Sequence, residues 1–396
     1  QLYNTHQKNK GVQITGSIGA ELKIFKDLKF NSNLGVTASW IKGYTFNDLS
    51  ENWLTLNPFS SLQDYRETFG SKTVLYNSLE QRKSEDYNWN WDNYLTYQKE
   101  FGRHNLTIVA GMSRTTSNNS EFLNGFRYNV PAESNYWKLN FSNNFEGTNP
   151  NVTVQNVHET PRISLAYFGR IEYEFNNKYL LSATVRREGL SVFQGEKKWG
   201  VFPAVSAGWV LSNENFLKDV DFLDNLKVRG GYGEVGNGNG PSLNIVSFTG
   251  NKNYSFGVAN IINPGSYVAN AVDPNLTWET MKEFDFGIDF GVMENRLTGS
   301  LDFYNRKSVD VILSLDLPPV LSEEQVYLNS GEVTNKGFEA ALRWQDDIND
   351  NLNYWIGANF SKNENEVTKA DNPYFNNQAS SGSLGNGEWT KAVYEG

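Results

Sequence analysis

The sequence predicts an all-β fold: a transmembrane, antiparallel, up-and-down β-barrel. Three observations predict it. First, between residues 278 and 312 apolar and polar side chains alternate. Phe284, Phe286, Ile288 and Phe290 are interleaved with Glu283, Asp285, Gly287 and Asp289, and Leu297, Gly299, Leu301 and Phe303 with Thr298, Ser300, Asp302 and Tyr304. Successive side chains of a strand point to opposite faces, so each segment has one apolar and one polar face. Second, both segments exceed the roughly five or six residues usual for a globular strand. Third, a tight turn at Met293-Glu294-Asn295 joins them, and long alternating strands paired by tight turns are the pattern of a membrane barrel.

The same unit recurs along the chain. Ile14, Gly16, Ile18, Ala20, Leu22 and Ile24 alternate up to a turn at Lys26-Asp27, and Leu28, Phe30, Leu34, Val36, Ala38 and Trp40 continue beyond it. Segments 84–99, with Trp89, Trp91 and Leu95, and 104–117, with Leu106, Ile108, Ala110 and Met112, flank Gly102-Arg103. Ile163, Leu165, Tyr167, Ile171, Tyr173 and Phe175 lead into Asn176-Asn177, and Tyr179, Leu181, Ala183 and Val185 lead out. Segments 200–212 and 225–236 pair across a link in which Phe216, Val220 and Leu223 lie at helical spacing. Segments 332–345, with Phe338, Ala340, Leu342 and Trp344, and 352–363, with Leu352, Tyr354, Ile356 and Phe360, close the series around Asp347-Ile348-Asn349.

About twelve strands result, good to roughly ±2–4 residues at their ends. Their connections fall into short turns and long polar stretches at 47–83, 118–160, 237–277, 313–330 and 366–396. Up-and-down order sends the turns to one end and the loops to the other, the arrangement of short periplasmic turns and long extracellular loops.

Composition agrees. Hydrophobic content is 38% with aromatics at 14%, and mean hydropathy is −0.56. No stretch approaches the ~20 apolar residues of a spanning helix, whereas a barrel strand needs apolar residues on one face only. The absence of cysteine excludes disulfides and thiolate metal sites. A net charge of −10 without a basic stripe argues against nucleic acid. His6, His104 and His158 lie without ligand spacing.

Four stretches carry a resemblance: FPAVSAGWVLSNENFL (202–217), LKVRGGYGEVGN (226–237), the run from Asn275 to Leu313, and NSGEVTNKGFEAALRWQ (329–345). In order and approximate spacing they resemble the barrel of SusC/RagA-type TonB-dependent transporters, nutrient importers of the Bacteroidota outer membrane. The resemblance implies a 22-stranded barrel, of which this chain supplies the middle and later part. A signal peptide, TonB box and plug would precede it and the last strands would follow. It also implies TonB as the driving partner and a SusD-like lipoprotein as a lid. Two long unpaired edges in lipid are expensive, so the 396-residue chain alone is not expected to insert as a stable barrel.

Other motifs yield to plainer readings. Gly231-Tyr232-Gly233-Glu234-Val235-Gly236 fits a dinucleotide fingerprint, but that mechanism needs a helix to follow. Asn237, Gly238, Asn239, Gly240 and Pro241 follow instead, so the run reads as a strand of small residues. The Asp346–Asn351 run lacks the glycine and bidentate glutamate of a calcium loop and reads as a polar turn. The triplets at Asn118, Asn151 and Asn275 match a glycosylation pattern that carries no information in a bacterial chain. Glu283, Asp285 and Asp289 string along one strand face, where a hydrated lumen solvates them, and no histidine or nucleophile joins them. No catalytic residue, cofactor or metal site is expected.

The loops hold the candidate contacts. The 47–83 segment carries Trp53, Phe59, Tyr65, Phe69 and Tyr76, and 118–160 carries Phe122, Phe126, Tyr128, Tyr136, Trp137, Phe141 and Phe145. Aromatic faces beside Asn and Gln suit stacking on sugar rings and hydrogen bonding to hydroxyls or peptide amides. Trp53, Tyr65, Phe126, Tyr128, Tyr136 and Trp137 are therefore the candidates for substrate or partner contact; the alternative is that these loops pack on each other. Leu317-Pro318-Pro319-Val320-Leu321 adds apolar surface for a docking protein. The expected function is import of an oligomeric glycan or peptide across the outer membrane of a Gram-negative bacterium. A passive porin-type channel, a soluble carbohydrate-binding β protein, or a barrel subunit of a larger envelope complex are the rivals.

Overall fold

The computed structural model describes residues 5–69, 75–131, 133–140, 152–218, 220–238, 248–250, 254–256, 261–263, 266–268, 270–316, 325–349, 352–370, 383–384 and 388–389. Long antiparallel strands form its frame. β1 (Thr5–Phe25), β2 (Leu28–Asp48), β3 (Asn77–Phe101) and β4 (His104–Ser117) are followed by the shorter β5 (Ser120–Tyr128) and β6 (Thr153–His158). Next come β7 (Arg162–Phe175), β8 (Tyr179–Leu190), β9 (Trp199–Val210) and β10 (Leu223–Asn237). Five three-residue strands lead onward: β11 (Phe248–Gly250), β12 (Tyr254–Phe256), β13 (Ile261–Asn263), β14 (Ser266–Val268) and β15 (Asn270–Val272). β16 (Glu279–Val292), β17 (Leu297–Asp316), β18 (Gln325–Asn349) and β19 (Leu352–Ala370) complete the frame. The strand order is β1-β2-β3-β4-β7-β8-β9-β10-β16-β17-β18-β19, with β5 pairing β3 and β6 pairing β5. The twelve expected strands are all present, in sequential up-and-down order. Among the described residues β1 pairs only with β2, and β19 only with β18.

The chain divides into two compact units: residues 1–19, 33–91 and 115–163, and residues 20–32, 92–114 and 164–396. In the second unit the registers decide which side chains share a face. Gly230, Phe286, Phe303 and Phe338 stand opposite one another across β10, β16, β17 and β18, and the next row is Val228, Ile288, Leu301 and Ala340. The apolar side chains are the exposed ones: Phe284 is 56% and Phe303 49% accessible. Directly between these rows the alternate face carries Arg229, Gly287, Asp302 and Glu339. The apolar and acidic sets thus lie on opposite faces, in the register read from the sequence.

The turns of this unit are tied to one another by backbone bonds. Gln98 N–H donates to the Asp27 carbonyl at 2.9 Å, Asn176 to Arg103 at 2.7 Å, Val210 to Lys178 at 2.8 Å, Met293 to Phe222 at 2.9 Å and Gln345 to Arg296 at 2.8 Å. Asn176 and Asn177 turn with φ near +55°, and Met293, Glu294 and Asn295 with φ of 59°, 60° and 57°, the left-handed region that asparagine tolerates best among non-glycine residues. The link after β9 makes a 3-10 turn at Leu211–Asn213, and further turns follow around Phe216, Val220 and Leu223, where Leu217 N–H donates to the Glu214 carbonyl at 3.1 Å, Val220 to Leu217 at 3.2 Å and Leu223 to Val220 at 3.0 Å.

In the first unit the stretches read as loops are partly ordered structure. α1 (Leu49–Leu56) follows β2 directly, capped by Asp48, whose carboxylate accepts from the Glu51 N–H at 2.9 Å. α2 (Leu62–Phe69) begins where the Asp64 carboxylate accepts from Ser61 N–H and hydroxyl at 2.6 and 2.8 Å. β5 and β6 extend the sheet inside the 118–160 segment. β3 starts at Asn77, seven residues before its alternation becomes visible.

Candidate functional site

The polar face of the second unit is built by alternation. Along β7 to β10 and β16 one face carries the polar or small residues Glu172 and Glu174, Ser182, Ser206 and Gly208, Lys227 and Arg229, and Asp285, with Leu180 between Glu174 and Gly208 as an apolar exception. These residues, with Gln98, Glu100, Asn105 and Thr107, line one cavity of about 510 Å³. A cavity that draws on seven neighbouring strands of one sheet lies on the hollow side of a curved wall. The apolar rows described above occupy the other side.

Charges on this wall are matched locally. Arg229 donates through Nε to Asp289 at 3.0 Å and through Nη2 to Asp289 at 3.2 Å and to Asp302 at 2.6 Å. Arg306 pairs with Glu283 at 2.8 Å. The three members of the Arg229 group are each about a third exposed, so screening leaves them little weight in global stability. Their effect is local: they hold long side chains flat against the wall.

The six aromatic candidates fall in the first unit and separate into two groups. Tyr65 on α2 is buried, and its hydroxyl donates to the Leu75 carbonyl at 2.5 Å. Burial, assisted by the Asp48 carboxylate, pushes its phenol up. Trp53 on α1 meets it edge-on at 5.5 Å, and Phe69 packs on it at 4.9 Å. Trp137 stacks on Phe46 with ring centres 4.4 Å apart and 10° between planes, while Tyr44 meets it edge-on at 5.4 Å. Trp53 and Tyr65 are thus engaged in packing α1 on α2, and Trp137 in packing a loop on β2. Phe126 and Tyr128 stand on one face of β5, in edge-to-face contact at 4.7 Å, half-buried. Tyr136 is 47% exposed. Phe141, Phe145 and the Leu317–Leu321 run lie outside the described residues.

What sequence reasoning missed is the polar lock beneath Trp137. Asn77 donates its amide to the Val130 carbonyl at 3.0 Å, and Val130 N–H donates back to Asn77 Oδ1 at 2.9 Å. The Tyr76 N–H donates to Asn129 Oδ1 at 2.8 Å. Asn129 is 1% exposed with φ +53°. Phe46, Leu79 and Val130 form the apolar cluster around this lock. A second cluster in the other unit gathers Leu190, Val192, Phe193, Phe202, Leu276 and Trp278, where the Trp278 Nε1–H donates to the Lys198 carbonyl at 2.9 Å. Asparagine pairs at strand–loop junctions were the available signal. The Gly231–Gly236 run lies within β10, and Gly236 faces the Phe202 ring so closely that an added Cβ would sit 2.0 Å from it.

The family described as TonB dependent receptor-like, beta-barrel, matches residues 4–395. A TonB-dependent receptor P3 of Formosa agariphila is 34% identical over 283 residues, covering 70% of this chain and 27% of that protein. The TonB-dependent receptor SusC of Bacteroides thetaiotaomicron is 29% identical over 286 residues, covering 72% of this chain and 27% of that protein. The chain therefore spans little more than a quarter of the length of these relatives. Among solved structures, the RagAB peptide transporter superposes with a TM-score of 0.75 at 21% identity, over 93% of this chain and 38% of that one. At that identity the likeness speaks for the fold.

Proposed function

The chain belongs to the family of TonB-dependent receptor-like β-barrels, and on that premise we propose that it walls an importer of oligomeric nutrients, glycans or peptides, in the outer membrane. The carrying observation is the two-faced sheet: one face exposes apolar rows such as Phe286 and Phe303, while the other lines a polar hollow with Arg229, Lys227, Glu172 and Asp285. An apolar outside with a hydrated inside is what a lipid-embedded conduit requires. The wall performs no covalent chemistry; it contributes charge and shape along the path. TonB supplies the drive and a SusD-like surface lipoprotein closes the mouth in this reading. The first-unit aromatics Phe126, Tyr128 and Tyr136 are the ones displayed for stacking on a sugar ring or a peptide.

The test separates active import from passive leakage. In intact cells, uptake of labelled oligosaccharides or peptides through this protein should stop when the inner-membrane proton gradient is discharged. Uptake that persists after discharge would favour the passive channel.

A further inference from the structure

Among the described residues a row of unmatched charge lies in the first unit, on the face opposite to its polar side. The register there is fixed by contacts on both flanks. Across β1 and β2, Thr15 and Thr37 hydroxyls are 3.3 Å apart, and Gly43 lies against Asn9 and Gly11 against Ile41. Across β2 and β3, the Ser39 hydroxyl donates to Asp86 at 3.0 Å and Gly35 lies against Asn90. These pairings put Lys10 opposite Lys42 and Lys42 opposite Lys83. Lys8 follows two residues beyond on the same face.

All four lysines are exposed, and among the described residues none enters an ion pair. Like charges directly opposite one another destabilise a sheet, and this chain is acidic overall, with a net charge of −10. The row is therefore unfavourable within the protein itself and calls for an external anion. Its surroundings identify the anion's source. Toward the turn the same face continues as Val12 and Ile14, each 60% exposed, and Ile18, 72% exposed. Trp40 donates its indole N–H to the Tyr87 hydroxyl at 3.2 Å at this border, the kind of aromatic pair that sits at headgroup depth. Glu85, the nearest carboxylate on this face, accepts from Tyr87 at 3.1 Å. The opposite face carries Gln13, Thr15, Thr37, Ser39 and Asp86, which fixes the lysine face as the lipid-facing one.

We infer that Lys10, Lys42 and Lys83 form a seat for a phosphorylated lipid headgroup at the outer surface of the wall. Neighbouring strands lie about 4.8 Å apart, so three ammonium groups span on the order of 10 Å, the width of one or two phosphates. The inference rests on the membrane placement of this face, not on import.

The test uses the receptor purified from outer membranes and reconstituted in phosphatidylcholine bilayers with trace spin-labelled phosphatidic acid or spin-labelled phosphatidylcholine. The wild type should hold immobilised phosphatidic acid in preference to phosphatidylcholine. The triple variant Lys10→Gln, Lys42→Gln, Lys83→Gln should lose at least about five-fold of that preference, the factor one basic residue contributes near an anionic surface. The corresponding triple arginine variant should retain it, which separates loss of charge from misfolding. Immobilised lipid without headgroup preference in the wild type overturns the seat, as does an unchanged preference in the glutamine variant. A glutamine variant that loses self-association or a protein partner while keeping its lipid preference overturns it in favour of a protein contact. Absence of any immobilised lipid would overturn the membrane placement beneath it.

Discussion

Arg229 on β10 and Asp302 on β17 form an ion pair at 2.6 Å across an intervening strand. They meet because the residue between them, on β16, is Gly287. A Cβ there would sit 2.6 Å from Asp302 Oδ1 and 2.7 Å from Arg229 Cζ. The glycine is the gap through which the two charges reach each other.

Gly287→Ala should accordingly push the two charges apart at little cost to global stability, because the atoms it meets are the movable ends of two part-exposed side chains. Gly230→Ala, whose nearest neighbour would be a backbone oxygen at 3.4 Å, should leave the pair in place. A double-mutant cycle of Arg229→Gln and Asp302→Asn, run in each glycine variant, checks the contrast; coupling that survives undiminished in Gly287→Ala would refute it.

Phe286→Arg on the apolar face should destabilise the bilayer-inserted protein by about 2–4 kcal/mol near the membrane midplane, while Ser300→Arg on the polar face should change it far less. Denaturant titration from liposomes measures both. A one-residue register error would reverse the order of the two effects.

Asn77→Ala should remove both amide bonds to buried Val130, at about 1–3 kcal/mol in all. The loss should be local. Limited proteolysis is expected to cut near residues 131–140 in the variant under conditions that spare the wild type, with the second unit intact.

Glu214 gives a pH dependence. Lys178, Tyr179 and Trp209 all donate to its carboxylate, at 2.8, 2.7 and 3.0 Å, and hold it down from 4.5 to about 2. A carboxylate depressed in the folded state stabilises above its unfolded value and loses that contribution as pH falls through the folded one. The advantage of wild type over Glu214→Gln should be constant above about pH 4.5 and vanish by about pH 2. Hydrogen exchange at the amides of 211–218, compared between the two proteins across that window, reads it out.

For the lid, replacing 131–151 by a short Gly-Ser turn leaves β5 and β6 in place. If a surface lipoprotein buries well over ~1,000 Å² on the long loops, its co-purification in detergent should drop with this change. Full recovery would remove the segment from the docking surface.

The strands were legible where lipid is the partner, because one face must be apolar there and the period-two signal is strong. It weakens where both faces meet water. β3 from Asn77 and β18 from Gln325 extend past their readable parts for this reason. β5 carries Phe122, Phe126 and Tyr128 on one face, but Asn124 among them breaks the contrast, so it read as loop. α1 was announced by Asp48 and Glu51, acidic residues three apart before Trp53 and Leu54, a capping pattern too short to stand out. Among the candidate contacts, the aromatic residues themselves were evident. Which of them pack inward could not be read, because Trp137 finds Phe46 only through a chain reversal about ninety residues long.

The backbone bonds that link each turn to the next, from Gln98–Asp27 to Gln345–Arg296, act as a hoop around one rim. Shear on a single hairpin is shared by its neighbours, since no strand can slide along its axis without breaking a bond at its foot. Changes of length are thereby confined to the opposite rim. There, segments can be lengthened, shortened or exchanged while the pitch of the wall stays fixed.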